Sequence, residues 1–192
     1  MRLAEFENRD FDRGASRLKE ALWIAVSGMT VASWLPGSGW RVRLLRAFGA
    51  EICAGAVIKP GVRVKFPWRL TLGRNVWIGE NAWIDNLAQV TIGDDCCISQ
   101  EAYLCTGSHD WSDPRFALVT RPIHLEGECW VGARASLAPG TVMERGAVLT
   151  MGSVGRGRLA GWQVHPEEKS GRTMERRERP SGPRQAKGVP AA

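Results

Sequence analysis

Large apolar side chains recur at a spacing of six residues through the middle of the chain. Four runs share this spacing: Ile52, Ile58 and Val64; Leu72, Ile78 and Ile84; Ile92, Ile98 and Leu104; and Leu125, Val131, Leu137, Met143 and Leu149. Small residues stand four positions after many of them, as at Ala82, Ala102, Ala135 and Ala147. An α-helix would need apolar residues every three or four positions, so this period argues against helices here.

One aliphatic and one small inward residue in every six fit a short strand followed by a sharp corner. Three such sides close a triangular coil of about eighteen residues, which pairs with the next coil through parallel ladders. The aliphatic side chains would fill the interior, and the small ones would fill the corners. The pattern therefore predicts an all-β solenoid, a parallel β-helix over residues 49–154.

The two ends of the chain do not follow this period. Residues 16–35 and 40–48 are typical of helices, separated by Pro36-Gly37-Ser38-Gly39, and predict an N-terminal helical arm over 1–48. The apolar part, 21–35, is shorter than the roughly 20 residues that span a bilayer. We expect it to pack on the solenoid, with contact with a membrane surface as the alternative. Residues 155–192, rich in Pro, Gly, Arg and Glu, predict a disordered tail.

The six-residue period is interrupted once, over residues 105–124, and such excursions often carry function. His109 directly follows Ser108, a corner position, with Asp110 and Asp113 close by in sequence. A neutral imidazole held by a carboxylate or a carbonyl can take a proton from a hydroxyl near pH 7. A histidine in a polar loop is more often a plain surface residue, so the spacing alone leaves both interpretations open.

The other histidines and the cysteines give no sign of a metal site. His124 is expected to point outward as a structural residue, and His165 falls in the tail without a predicted role. A zinc carbonic anhydrase site needs three converging histidines, and the five cysteines show no ligand spacing, so no metal is expected.

The net charge of +6 is concentrated in the tail and accompanies no nucleic-acid motif, so no nucleic-acid partner is expected. The first residues do not resemble a signal peptide, which predicts a cytoplasmic protein, with a peripheral position at the inner membrane left open.

Several segments resemble the colanic-acid biosynthesis acetyltransferases of the hexapeptide-repeat family. They are Lys65–Gly73, Asn75–Gly79, Trp83–Ala88, Cys97–Gln100 and Tyr103–Pro114. The most specific run is Thr-Gly-Ser-His-Asp-Trp-Ser-Asp-Pro, and the resemblance covers roughly residues 18–154. Nodulation-factor, maltose and galactoside O-acetyltransferases are more distantly similar. The resemblance implies that the β-helix is left-handed.

The resemblance also implies an activity and a site. The expected reaction moves an acetyl group from acetyl-CoA to a hydroxyl of a sugar or glycolipid acceptor in exopolysaccharide synthesis, within a homotrimer whose active sites lie between subunits. His109 would be the general base. Asp85 and Asn86 would line the acceptor pocket, where Trp111 suits the apolar face of a sugar ring. The acetyl-CoA groove would be formed by Trp130, Gly132, Ala133, Thr150, Met151, Gly152 and Ser153.

Two departures from the family pattern keep alternatives open. Met151 stands where relatives usually carry Ala, and a longer side chain there could crowd the pantetheine arm or turn away. After Val164 the sequence no longer resembles the family. The alternatives are a catalytically impaired trimeric scaffold and an acetyltransferase with a non-sugar acceptor, such as an amino acid or a nucleotide-linked amine.

Overall fold

The computed structural model describes residues 3–8 and 11–166. A short 3-10 helix, Leu3–Glu5, is followed by helices α1, Arg17–Met29, and α2, Gly39–Ala47. The Ser16 side chain caps α1 by accepting a hydrogen bond from the Lys19 backbone N–H. Both predicted helices are present. Helix α1 ends at Met29 rather than at residue 35, and a turn over residues 30–32 follows it. At Gly49, φ is +103°, a left-handed conformation that turns the chain into the first strand.

Short strands form three faces of a stacked coil. Face A contains β1 Glu51–Ile52, β4 Leu70–Leu72, β7 Val90–Ile92, β12 Ile123–Leu125, β15 Val142–Met143 and β18 Arg158–Leu159. Face B contains β2 Val57–Ile58, β5 Trp77–Ile78, β8 Cys97–Ile98, β13 Trp130–Val131, β16 Val148–Leu149 and β19 Val164–His165. Face C contains β3 Arg63–Val64, β6 Trp83–Asp85, β9 Tyr103–Cys105, β14 Ser136–Leu137 and β17 Val154–Gly155. A 3-10 helix, Pro67–Arg69, and a hairpin of β10, Gly107–His109, and β11, Leu118–Thr120, complete the elements.

All pairings between coils are parallel, and equivalent inward residues stack on one another. Leu72 pairs with Ile92 on face A, and Ile98 pairs with Val131 on face B. The aliphatic residues of the six-residue period form the buried core, and the corner alanines such as Ala102 are fully buried. The predicted parallel β-helix is therefore confirmed.

The solenoid continues beyond its predicted end at residue 154. Strands β18 and β19 add further pairs, Met143 with Leu159 and Leu149 with His165. The predicted start of a disordered tail at 155 is therefore too early. The period was hidden because Gly155 occupies an aliphatic position and His165 fills an inward one, where its Nε2 lies 2.9 Å from the Ala160 carbonyl oxygen. The prediction of disorder for 167–192 lies outside the described residues.

The helical arm covers the N-terminal end of the coil. The Trp23 indole is buried, and its Nε1–H donates to the Val64 carbonyl on the edge strand of face C, at 2.9 Å. Its ring centroid lies 4.9 Å from that of Phe48. The expected packing of this segment is therefore observed for one side of α1. None of the helices among the described residues is long and apolar enough to cross a membrane.

We expect Trp23→Ala to lower the free energy of unfolding by about 3–5 kcal/mol, because it leaves a cavity and an unpaired Val64 carbonyl. Chemical denaturation followed by circular dichroism measures this. The control is Leu22→Ala, whose side chain points to solvent and should change the free energy of unfolding by no more than about 0.5 kcal/mol. Equal losses in the two variants would show that α1 is not held through Trp23.

Candidate active site

The interruption of the repeat is an antiparallel hairpin formed by β10 and β11. Gly107 pairs with Thr120, and His109 pairs with Leu118. The hairpin leaves the solenoid between β9 and β12, at the corner where face C meets face A. Its base is fixed where the Arg121 N–H donates to the Thr106 carbonyl at 2.9 Å. The solenoid therefore presents His109 on a protruding but anchored element.

The imidazole of His109 is oriented by a backbone carbonyl. Its Nδ1 lies 2.8 Å from the Phe116 carbonyl oxygen. Its ring stacks on the Phe116 ring at 4.2 Å and meets the edge of Phe6 at 5.5 Å. Because a carbonyl oxygen only accepts hydrogen bonds, this contact favours the tautomer with the proton on Nδ1. Nε2 then keeps its lone pair, as a general base requires.

The two carboxylates near His109 in sequence shape the hairpin tip. Asp110 accepts hydrogen bonds from the Ser112 hydroxyl at 2.6 Å and from the Ser112 N–H at 2.9 Å, which lower its pKa. Asp113 accepts from Arg115, whose side chain and N–H lower the pKa of this carboxyl. The sequence left open whether a carboxylate or a carbonyl would bind the His109 imidazole. In the structure the partner is the Phe116 carbonyl.

A polar and aromatic cluster lies on the outside of face C, next to the hairpin base. The Tyr103 hydroxyl donates to Asp85 Oδ2 at 3.0 Å, and Lys65 Nζ lies 3.3 Å from Asp85 Oδ1. The ring centroids of Trp83 and Tyr103 are 4.7 Å apart. Burial, with contributions from Cys105 and Asp85, raises the pKa of the Tyr103 phenol, so it stays a proton donor. Asp85 is thus held by Tyr103 and Lys65 next to the hairpin base, and its role in acceptor binding stays a prediction.

The other two predicted acceptor residues occupy very different surroundings. Asn86 is fully buried at the corner after β6. Its side chain accepts from the Phe66 N–H at 2.9 Å and donates to the Phe66 and Arg69 carbonyls at 2.7 and 2.9 Å. With these bonds made, Asn86 belongs to the frame of the corner rather than to an open pocket. Trp111, at the hairpin tip, is largely exposed.

A groove of about 700 Å³ runs along the corner where face B meets face C. It is lined by Ser99, Gln100, Trp130, Gly132, Ala133, Val148, Leu149, Thr150, Met151 and Val164. Five of the predicted acetyl-CoA residues are among these. The coils approach closely at Gly132, where an added Cβ would lie 2.6 Å from the Met151 backbone nitrogen. Met151 is 74% exposed, so its side chain reaches into solvent at the rim.

The last two predicted acetyl-CoA residues are not part of the groove lining. Gly152 follows Met151 at the exposed turn of the same corner. Ser153 is buried, and its hydroxyl lies 2.7 Å from the Thr150 hydroxyl. Ser153 therefore supports the position of Thr150 from behind.

The hairpin and the groove occupy different corners of the same chain. The hairpin leaves where face C meets face A, whereas the groove follows the ends of β8, β13 and β16 on face B. The groove lining includes no hairpin residue. Among the described residues, no three His, Cys, Asp or Glu side chains converge as they would to hold a metal ion.

Comparison with known proteins identifies the family. No model of a protein family matches the chain. The chain is 40% identical over 139 residues to WcaF of Escherichia coli (strain K12), named as a colanic acid biosynthesis acetyltransferase; the match covers 71% of this chain and 76% of WcaF. The chain belongs to the colanic acid biosynthesis acetyltransferase family. It is also 30% identical over 104 residues to nodulation protein L of Rhizobium meliloti (strain 1021), covering 53% of this chain and 56% of that protein.

Solved structures of other acetyltransferases share the fold of this family member. A hexapeptide-repeat acetyltransferase from Vibrio cholerae O1 biovar eltor, complexed with acetyl coenzyme A, matches with a TM-score of 0.72 and 21% identity over 84% of this chain and 90% of that one. A maltose O-acetyltransferase from Clostridium difficile 630 matches with a TM-score of 0.71 and 16% identity over 84% and 88%. At these identities the similarity establishes the hexapeptide-repeat fold.

Three members of the face C cluster were missed by the sequence analysis. Lys65, Trp83 and Tyr103 stand at outward positions that alternate with inward Val64, Ile84 and Leu104. The alternation of inward and outward residues could have been found in the sequence, and it would have placed these three side chains on the outside of the coil. Only the lateral pairing of strands, however, shows that these side chains are neighbours of Asp85.

We expect Asn86→Ala to lower the free energy of unfolding by at least about 2 kcal/mol, because it leaves buried backbone groups of Phe66 and Arg69 without partners. The KM for an acceptor should not change. Asp85→Ala is the matched variant, and we expect it to raise the acceptor KM. Thermal denaturation and steady-state kinetics separate the two effects. A raised acceptor KM with unchanged stability in Asn86→Ala would show instead that Asn86 contacts the acceptor.

Proposed function

We propose that the protein transfers the acetyl group of acetyl-CoA to a hydroxyl of a sugar, carried by a glycan or glycolipid used in exopolysaccharide synthesis, with His109 as general base. The observation that carries this proposal is the contact between His109 Nδ1 and the Phe116 carbonyl, which leaves Nε2 free to accept a proton. The family supplies the reaction class, since its WcaF relative is named as an acetyltransferase of colanic acid biosynthesis.

The proposed reaction needs one proton acceptor and one leaving thiolate. Nε2 of His109 takes the proton of the acceptor hydroxyl as its oxygen attacks the thioester carbonyl carbon. The carbon–sulfur bond then breaks, and the imidazolium returns the proton to the CoA thiolate. The products are the acetyl ester and CoA with a free thiol, and His109 ends in its starting state.

The proposed acceptor site combines the face C cluster with the hairpin tip. Asp85, whose side chain is 13% exposed, and Tyr103 would exchange part of their mutual contact for sugar hydroxyls, while Trp83 and Trp111 offer aromatic surface for a sugar ring. An amine acceptor would favour the carboxylate but has less use for the aromatic surface, so we favour a sugar. All five cysteines are free, which suits a reducing compartment, and we infer a cytoplasmic location, where acetyl-CoA is made.

We further propose a homotrimer in which each active site joins the hairpin of one subunit to the groove of the next. The hairpin and the groove lie at different corners of one chain. A site that needs both His109 and the groove would therefore require two subunits. A cyclic arrangement places the same two surfaces opposite each other at every interface. Thr150 and Ala133 of one subunit would then hold acetyl-CoA beside His109 of the other.

His109→Ala should lower the rate of CoA release from acetyl-CoA by about 10²–10⁴-fold with a sugar acceptor, because the general base is lost. CoA should still raise the melting temperature of the variant. His124→Ala is the matched control, since this histidine points outward on face A and should leave the rate unchanged. Equal rates for the two variants would remove His109 from the mechanism. A wild type that CoA does not stabilise would favour the non-catalytic scaffold.

The shared-site arrangement predicts complementation between two inactive variants. Ala133→Trp should fill the groove and abolish activity while His109 stays intact. If His109→Ala and Ala133→Trp chains are unfolded together and refolded, about a quarter of the interfaces should contain both intact surfaces. Activity should then reappear at that order of magnitude. A mixture as inactive as its components, despite trimers by light scattering, would place each site within one chain.

A further inference from the structure

Helix α1 has an apolar side that faces away from the solenoid. Leu18, Leu22 and Met29 are 80%, 54% and 72% exposed, and Ala25 is exposed between them. Spacings of four, three and four residues place these four side chains in one stripe, opposite the buried Trp23. A surface helix normally presents polar side chains on this side. We call these four residues, with Trp34 and Leu35, the α1 stripe.

The α1 stripe is extended by the turn that follows the helix. Trp34 is 82% exposed, and Leu35 is exposed beside it. The twenty residues from Ala21 to Trp40 contain no charged side chain. Clustered exposed apolar side chains, unlike single ones, are typical of an interaction site.

Positive charge borders the α1 stripe. Arg17 is exposed at the start of α1. A groove of about 450 Å³ between α1 and face C is lined by Ile24 and Gly28 on one side and by Arg63 and Lys65 on the other. Residues 21–50 contain no acidic residue; of their three arginines, Arg43 and Arg46 are exposed, whereas Arg41 is buried and donates to backbone carbonyls.

Two acidic side chains next to the α1 stripe are paired with cations, whereas a third, Glu80, is exposed and lines a pocket together with Trp34. Glu20 forms an ion pair of 2.5 Å with Arg13, and its side chain is only 14% exposed. Asp85, beyond Lys65, lies 3.3 Å from that ammonium group. Arg13 and Lys65 are offset by these partners, so the positive charge beside the stripe comes from Arg17 and Arg63, which are exposed.

We propose that α1 and the turn to Leu35 form a docking surface for an anionic lipid bilayer, with the α1 stripe in the headgroup region. An interfacial helix buries aliphatic side chains there, tryptophan favours that depth, and basic residues attract anionic lipids. A second copy would bring a second positive border, which would repel the first. The chain's own residues 167–192 have only Met174 and Val189 as large apolar side chains, too few to cover the stripe.

Docking would bring the proposed acceptor cluster close to the bilayer. Lys65 lines the groove beside α1 and also contacts Asp85. A sugar attached to a membrane lipid would therefore reach the cluster without leaving the surface. This consequence rests on the proposed function, whereas the docking itself does not.

Flotation of the full chain with lipid vesicles tests the proposal. Wild-type protein should float with phosphatidylcholine vesicles containing about 30% phosphatidylglycerol, and more weakly with pure phosphatidylcholine or in high salt. The double variant Leu22→Ser and Met29→Ser should lower binding at least about tenfold, because two inserted side chains are lost. Val154→Ser, which removes an exposed apolar side chain far from α1 on face C, is the control and should bind as wild type.

Two results would overturn the docking surface. One is wild-type protein that does not float with the anionic vesicles at low salt. The other is a change of molecular mass of the double variant in light scattering, which would make the α1 stripe a contact between subunits. Release of CoA with a water-soluble sugar should be the same in wild type and double variant, so a failure of docking and a failure of acetyl transfer are told apart.

Discussion

The hydrogen-bond ladder between successive coils is the interaction on which the rest of the molecule depends. Most strands are only two or three residues long, and none could persist alone. Bonds such as Trp77 N–H to the Cys96 carbonyl and Cys97 N–H to the Cys129 carbonyl, both 2.9 Å, tie each coil to the next. They hold neighbouring coils about 4.8 Å apart and in register. That spacing stacks the aliphatic core and also aligns side chains outside it.

The same register gives the three faces different surfaces. The outer row of face A is mainly polar, with Glu51, Thr71, Thr91 and Arg158. On face B, the outer residues and the following turns border the groove of about 700 Å³. On face C, the outer row brings Trp83, Tyr103 and Asp85 together. The three faces of a repetitive scaffold therefore differ in chemistry because each coil has different outward side chains.

The fold could be predicted from the sequence because one side chain in six must be aliphatic to fill the interior. The prediction failed at the end of the solenoid, where Gly155 and His165 take inward positions without being aliphatic. Corner residues show a related limit. Asn86 is a polar residue beside a predicted pocket, and only its three hydrogen bonds to backbone groups show that it belongs to the frame.

The candidate site was predictable in part. The interruption singled out His109, and the groove contains most of the residues that the family resemblance assigned to it. How the imidazole is held was not predictable, because a backbone carbonyl is present at every residue and leaves no signature in the sequence. The Tyr103 and Lys65 contacts to Asp85 depend on lateral strand pairing, which joins residues eighteen and twenty positions apart.

The carbonyl that orients His109 limits which changes the hairpin can accommodate. A substitution at position 116 would keep the peptide oxygen, but it would remove the ring that stacks on His109 at 4.2 Å, and the new residue would have to adopt the φ of +53°. Loss of the contact with the carbonyl requires a change in the length or the course of the hairpin instead. The number of residues between His109 and Phe116 therefore decides whether the imidazole keeps its carbonyl partner.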